Sequence, residues 1–167
     1  CYNSQDYMER CLDSLLVGGD QVEILIVDDG SKDRTGEIAD RYEKEYPGIC
    51  RAIHKPNGGH GSGVNVGMDL ASGLYYKVVD SDDWLDRDAF LKVLDQLKEF
   101  SRDEKRPDML LCNFTYMKEG VAKHKVMHYE YAIPANKLIT WDQVGLFRKG
   151  SYILMHSVIY RTGLLNF

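Results

Sequence analysis

Residues 74–86 read Leu-Tyr-Tyr-Lys-Val-Val-Asp-Ser-Asp-Asp-Trp-Leu-Asp, an apolar run that ends in three carboxylates within four positions. Tyr75–Val79 has the composition of a buried strand, and Asp80, Asp82 and Asp83 follow where such a strand leaves its sheet. Ionised carboxylates beside a core cost free energy unless a positive partner meets them. A hard divalent cation bridging to a diphosphate satisfies that need, because oxygen ligands suit Mg²⁺ and Mn²⁺. The same acidic turn suits the start of a helix, with Asp83 or Asp86 as its cap. The stretch by itself leaves both roles open.

On either side of this turn, strands alternate with helices. Residues 5–16 carry Met8, Cys11, Leu12, Leu15 and Leu16 at helical spacing, and Gly18-Gly19 stops them. Val22–Val27 is a compact strand that ends in the turn Asp28-Asp29-Gly30-Ser31. A helix is predicted from Thr35 to Tyr46, with Ser31 or Asp33 as cap and Pro47-Gly48 as stop. Cys50–His54 reads as a strand, and the glycine-rich loop from Asn57 to Gly63 leads into helix up to Ala71. Asp88–Phe100 is an amphipathic helix with Phe90, Leu91, Val93, Leu94 and Leu97 inward, and Met109–Tyr116 is a strand. This alternation predicts an α/β fold, a mostly parallel sheet with helices on both faces. Beyond residue 117 the pattern is irregular α+β: an antiparallel arm over Val121–Ala132, a short helix over Trp141–Phe147 and a strand over Ile153–Tyr160. In parallel sheets ligands sit at the carboxyl ends of strands, so the turns after Val27 and Val79 are placed to face one crevice.

Composition narrows the function classes. The net charge of −5 argues against a nucleic-acid partner or an anionic membrane surface, so membrane association is at most peripheral. No apolar run approaches the roughly 20 residues needed to span a bilayer. The four cysteines, Cys1, Cys11, Cys50 and Cys112, are scattered, which argues for reduced thiols in a cytoplasmic protein rather than structural zinc. The chain opens on Cys-Tyr-Asn-Ser and stops at Leu-Leu-Asn-Phe167, and it reads as a piece of a longer protein with its first strand truncated.

The loop Asn57-Gly-Gly-His-Gly-Ser-Gly-Val-Asn-Val-Gly67 lacks the Gly-Lys-Ser/Thr of a P-loop, and position 66, where a dinucleotide fingerprint needs its third glycine, is Val. What remains is a backbone that can approach a ligand and a helix N-terminus with free N–H groups. Asp28-Asp29 either forms an Asx-turn closed by Gly30 or accepts hydrogen bonds from a base or ribose, with Tyr2 and Asn3 beside it. His156, within Leu-Met-His-Ser-Val-Ile-Tyr-Arg, is either a hydrogen-bonded core residue or a ligand to metal or phosphate. His124 and His128 read as surface.

Taken in order, Tyr2-Asn3, Asp28-Asp29-Gly30-Ser31 with Asp33 and Thr35, Asn57-Gly-Gly…Asn65…Gly67 and Asp80-Ser-Asp-Asp-Trp84 resemble the family-2 glycosyltransferases of GT-A fold. The resemblance covers about residues 1–100. It implies a nucleotide-sugar-binding core over 1–116 and part of an acceptor-side region of the same domain over 117–167. It further implies an inverting hexosyltransferase of bacterial cell-surface polysaccharide biosynthesis, working in the cytoplasm or at the inner membrane face. Its donor would be a nucleotide-diphospho-sugar, a UDP-sugar by preference, and its acceptor a glycan or lipid-linked molecule. By the same analogy Tyr2, Asn3, Asp28, Asp29, Asn57, Gly58, Gly59, Asn65, Asp80 and Ser81 hold the donor. Asp82, in an Asp-x-Asp motif, anchors Mn²⁺ or Mg²⁺, with Asp80 and His156 as further ligands. Many relatives carry arginines near the positions of Val64 and Val66; here Lys77, His60 or the metal would supply the positive charge. The catalytic base is expected beyond Phe167, with Glu130 and Asp142 as the carboxylates nearest to that role. A sugar-nucleotide binder without turnover and a sugar-1-phosphate nucleotidyltransferase are the alternatives.

Overall fold

A computed structural model describes residues 1–102, 106–117, 120 and 124–165. Met8, Cys11 and Leu12 recur at helical spacing, and all three are buried on the inner face of α1 (Met8–Leu16). This helix starts at Met8 rather than residue 5 because the amides of Tyr7 and Met8 both turn back onto the Ser4 carbonyl. β1 (Ile24–Asp28) runs parallel to β2 (Cys50–His54), in a register from Ile24 opposite Cys50 to Asp28 opposite His54. Between them α2 (Thr35–Glu45) crosses over, its first amide held by Asp33, whose Oδ1 accepts from the Thr35 N–H at 3.0 Å. Ile38, Ala39 and Tyr42 of α2 pack with Met8, Leu12, Ile24, Ile26 and Cys50 into one apolar core. The Tyr42 hydroxyl donates to Asp13 at 2.7 Å and ties α2 to α1.

The glycine-rich loop enters α3 (His60–Leu70), and β3 (Tyr75–Tyr76) leads to the acidic turn. In α4 (Arg87–Arg102), Asp86 Oδ1 accepts the Ala89 amide at 2.9 Å. Asp86 is therefore the cap, and Asp83 is left for other contacts.

A second sheet brings the C-terminal segment back into the body of the fold. β7 (Val158–Arg161) lies between β3 and β4 (Met109–Leu111) and is antiparallel to both. The expected strand over Met109–Tyr116 is divided at Cys112-Asn113, because β4 pairs with β7 whereas β5 (Phe114–Tyr116) pairs with β6 (Lys125–Met127). The antiparallel arm is thus β5 with β6; residues 121–123, its expected beginning, lie outside the described residues. Parallel pairing is found between β1 and β2, and the other ladders among the described residues are antiparallel: β3 and β4 through β7, which re-enters from downstream, and β5 with β6 in a sheet of their own. The strand expected over Tyr75–Val79 keeps ladder pairing at Tyr75 and Tyr76; Lys77–Asp80 continue along a cavity wall. Trp141–Gln143 is a single 3₁₀ turn closed by reciprocal Thr140 and Gln143 bonds, shorter than the expected helix. Among the described residues no helix is long and apolar enough to cross a membrane.

Candidate functional site

The parallel register carries the chain out of the sheet at Asp28, and the next three residues form a tight turn. Gly30 sits at φ +72°, and a Cβ there would stand 2.7 Å from the Asn57 amide nitrogen, so only glycine lets the two loops touch. Asp28 is buried, with Oδ1 accepting from the Ser31 amide at 3.0 Å and Oδ2 facing His54 Nδ1 at 3.1 Å. Burial works to raise its carboxyl, but the bonds from Ser31 and His54 outweigh burial and hold it below the ordinary range. Asp29 is also buried. It accepts from the Lys55 ammonium, from the Gly58 amide at 2.9 Å and from the Gly59 amide at 2.8 Å. The Lys55 bond, followed by the two amides, holds its carboxyl low. The amides expected to be free for a ligand at Gly58 and Gly59 are thus engaged by Asp29.

Three further bonds fasten the N-terminal residues to this turn. The Asn3 amide donates to Ser31 Oγ at 3.0 Å, and Asn3 Oδ1 accepts the Lys32 amide at 2.9 Å. The Cys1 carbonyl accepts the Asp29 amide at 2.9 Å. Ser4 then spans two turns, its amide on Thr35 Oγ1 at 2.7 Å and its hydroxyl 2.8 Å from that of Ser81.

The acidic turn is joined to the C-terminal segment. Ligand atoms of Asp80, Asp83 and His156 lie within 4.8 Å of one another. His156 Nδ1 is 3.9 Å from Asp83 Oδ2, and the Phe114 ring meets the imidazole edge-on at 4.6 Å between centroids. The Lys77 ammonium donates to the His156 carbonyl, and burial lowers its affinity for a proton. His60 Nε2 stands 2.9 Å from Asp80 Oδ1, and the Cys11 thiol reaches the Asp80 carbonyl at 3.5 Å. Burial pushes the Asp83 carboxyl up; Asp82 and Asp80 add to that, while His156 and Lys77 oppose it. Burial is the main cause, and the neighbouring carboxylates come second to it. Two carboxylate oxygens and one imidazole nitrogen form a donor set that fits a divalent cation such as Mn²⁺.

A cavity of about 1150 Å³ runs from these turns along β1 towards α4. Tyr2, Asn3, Asp29, Asn57, Gly59, Asp80, Ser81 and Asp82 line it, as do His60 and Lys77. Asp28 is buried and Gly58 and Asn65 are exposed, and none of the three lines it. His156 and Asp83 meet the cavity through Asp80. Asp82 is exposed and stands outside the Asp80–Asp83–His156 group. Glu130 and Asp142 are exposed and do not line the cavity; Asp142 accepts from the Thr140 hydroxyl. His128 is exposed and His124 half-buried. Lys55 escaped the sequence reading, because it follows β2 as an ordinary-looking surface lysine. Asp83 was read as one of three carboxylates or as a helix cap, and the cap at Asp86 decides between those roles.

Comparison with known proteins identifies the family and the fold. The family model of glycosyl transferase family 2 matches residues 1–140. The chain is 37% identical over 114 residues to the uncharacterized glycosyltransferase EpsJ of Bacillus subtilis, covering 68% of this chain and 31% of EpsJ. It is 38% identical over 115 residues to chondroitin synthase of Pasteurella multocida, covering 68% of this chain and 11% of that one. The crystal structure of S. aureus TarS 1-349 superposes on 99% of this chain and 46% of its own, with TM-score 0.72 and 28% identity. The same TarS has been solved with UDP-GlcNAc, with TM-score 0.68 and 27% identity over 98% of this chain and 44% of its own. The chain therefore spans about a third of the length of EpsJ and under half of TarS 1-349. With its GT-A-like α/β architecture and a family match over most of its length, the chain belongs to glycosyl transferase family 2.

Proposed function

We propose that this chain is the donor-binding part of an inverting glycosyltransferase. It would move a hexose from a nucleotide-diphosphate donor to a glycan or lipid-linked acceptor during bacterial cell-surface polysaccharide synthesis, at the cytoplasmic face of the membrane. The observation that carries this reading is the Asp80–Asp83–His156 group opening on a cavity bordered by the Asp29 and Asn57–Gly59 loops. The UDP-GlcNAc complex of TarS supports a UDP-sugar as donor. Chondroitin synthase among the relatives supports a polysaccharide product.

In this reading Asp29 recognises the nucleoside. Its carboxylate offers about four acceptor sites and the protein uses three of them, leaving one on Oδ2 at the cavity wall. Asp28 does not line the cavity and serves by shaping the turn. Tyr2, 48% exposed at the cavity mouth, presents its ring to the base. Asp80, Asp83 and His156 hold the divalent cation, with Asp82 beside them on the cavity wall. When bound, the metal would supply positive charge against the leaving diphosphate. Lys77 and His60 face the same space and provide the cationic side chains that Val64 and Val66 do not. The base that takes the acceptor proton comes from the remainder of the protein, since Glu130 and Asp142 stand away from the cavity.

Calorimetry of UDP binding with and without Mn²⁺ tests the proposal, comparing the wild type with Asp82→Asn and Asp83→Asn. Metal-dependent affinity that is lost in Asp83→Asn supports the assignment. Loss in Asp82→Asn alone would move the metal anchor to that residue, and no UDP binding under any condition would overturn the reading.

A further inference from the structure

β1 and β2 are parallel and paired in register, so Asp28 and His54 leave the sheet side by side on one face. α2 packs over that face and brings Asp40 to the other edge of the imidazole. His54 Nδ1 stands 3.1 Å from Asp28 Oδ2 and Nε2 stands 2.8 Å from Asp40 Oδ1. Both ring nitrogens thus face carboxylate oxygens, which accept hydrogen bonds and donate none. A neutral imidazole has one N–H and would leave one nitrogen lone pair against an anion; the imidazolium donates at both. The contacts therefore specify the charged ring.

We propose that His54 is a positioning residue for the donor-binding turn: its imidazolium straps Asp28, at the end of β1, to Asp40 on α2, and so makes the shape of the turn dependent on pH. The charged groups facing it are these two, one from each element packed against β2. Asp40 and then Asp28 raise the proton affinity of the ring above the ordinary 6.5, against a smaller opposing effect of burial. Space at the strap is limited, since a Cβ on Gly36 of α2 would come 3.2 Å from Asp28 Oδ2 and 3.5 Å from His54 Cε1. Among the described residues His54 is the side chain that forms an ion pair with Asp28, whose second oxygen holds the Ser31 amide. Ser31 Oγ in turn accepts from Asn3, a residue of the cavity wall. Removing the ring's proton leaves one carboxylate without its donor, and the turn that carries Asp29 loosens.

This inference deepens the proposed function, and it can be tested apart from it. NMR titration of the His54 ring should give a midpoint above 6.5, lower in Asp40→Asn. The Ser31 amide resonance should move with the same midpoint in the wild type and stop titrating in His54→Gln. A midpoint at or below 6.5, or a Ser31 amide that titrates unchanged in His54→Gln, overturns the proposal. In the donor arm, wild-type affinity for UDP with Mn²⁺ should fall about tenfold, roughly 1.4 kcal/mol, as pH rises through that midpoint, and His54→Gln should be flat. Protonation of metal ligands acts with the opposite sign, weakening binding as pH falls, so the two effects are separable. A wild-type affinity that does not fall with rising pH, or a fall that persists in His54→Gln, counts against His54. Absence of UDP binding at every pH would count against the donor reading, while the spectroscopic arm still decides on the strap.

Discussion

Residues 1–102 and the segment from 124 to 165 meet at the carboxylate group but are held in different ways. In the first region Met8, Ile26 and Ala39 are 0%, 2% and 0% exposed; Ser4 ties the turns after β1 and β3 together, and Asp29 ties the turn after β1 to the loop after β2. In the second, Leu138, Trp141 and Leu146 are 62%, 69% and 95% exposed. Its buried apolar residues are Met127, Tyr129 and Ala132, together with Val158 and Ile159 of β7 between β3 and β4. The turns that border the cavity therefore rest on a core of their own, whereas His156 stands in the short turn that leads into β7 from the downstream segment. The Asp80–Asp83–His156 group thus joins a half with its own apolar core to a half held largely through β7.

The largest expected effect is in the first region. Leu12→Ala, in the core of α1, should lose about 2–5 kcal/mol of stability in chemical denaturation. A loss below 1 kcal/mol would mean that this core is not the foundation described above.

Next is Asp29→Ala, which removes a buried acceptor, leaves Lys55 without its carboxylate and takes the acceptor from two amides. Nucleotide binding should weaken about 10- to 100-fold, while Asn65→Ala, on the exposed side of α3, should change it little. Equal effects would place the nucleoside elsewhere.

How much of this was legible in the sequence follows from the reach of each contact. The turn after Val27, the acidic turn after Val79 and the amphipathic α4 are local patterns, and all three stand where the sequence placed them. The division of Met109–Tyr116 was not legible, because both halves are β-rich and only the change of partner at Cys112 separates them. The role of Lys55 depends on Asp29, 26 positions earlier. That of Asp83 depends on His156, which reaches it only once β7 has entered the sheet. Residue identity marked the carboxylates, but it could not mark which of them a distant histidine would join.

Smaller still is the contribution of the His54 strap to stability. The ring binds its proton more tightly in the folded state, so its contribution is complete below about pH 6.5 and is lost as pH rises through the raised folded value. Urea denaturation at pH 6 and pH 9 should show wild type losing stability relative to His54→Gln at the higher pH. Solvent screening of this half-exposed ring keeps the difference modest. The smallest effect belongs to the second region. Leu146→Ala should stay within about 0.5 kcal/mol of wild type, and a larger loss would show that the segment has a core of its own.

The most direct test is the metal increment to UDP affinity, measured by calorimetry in the wild type and in His156→Ala. Mn²⁺ should strengthen UDP binding by the wild type at least about tenfold, the equivalent of 1.4 kcal/mol. In His156→Ala that increment should vanish, while metal-free binding and the melting temperature stay near wild type. An increment that survives unchanged in His156→Ala would contradict the joining of the two regions at a metal site.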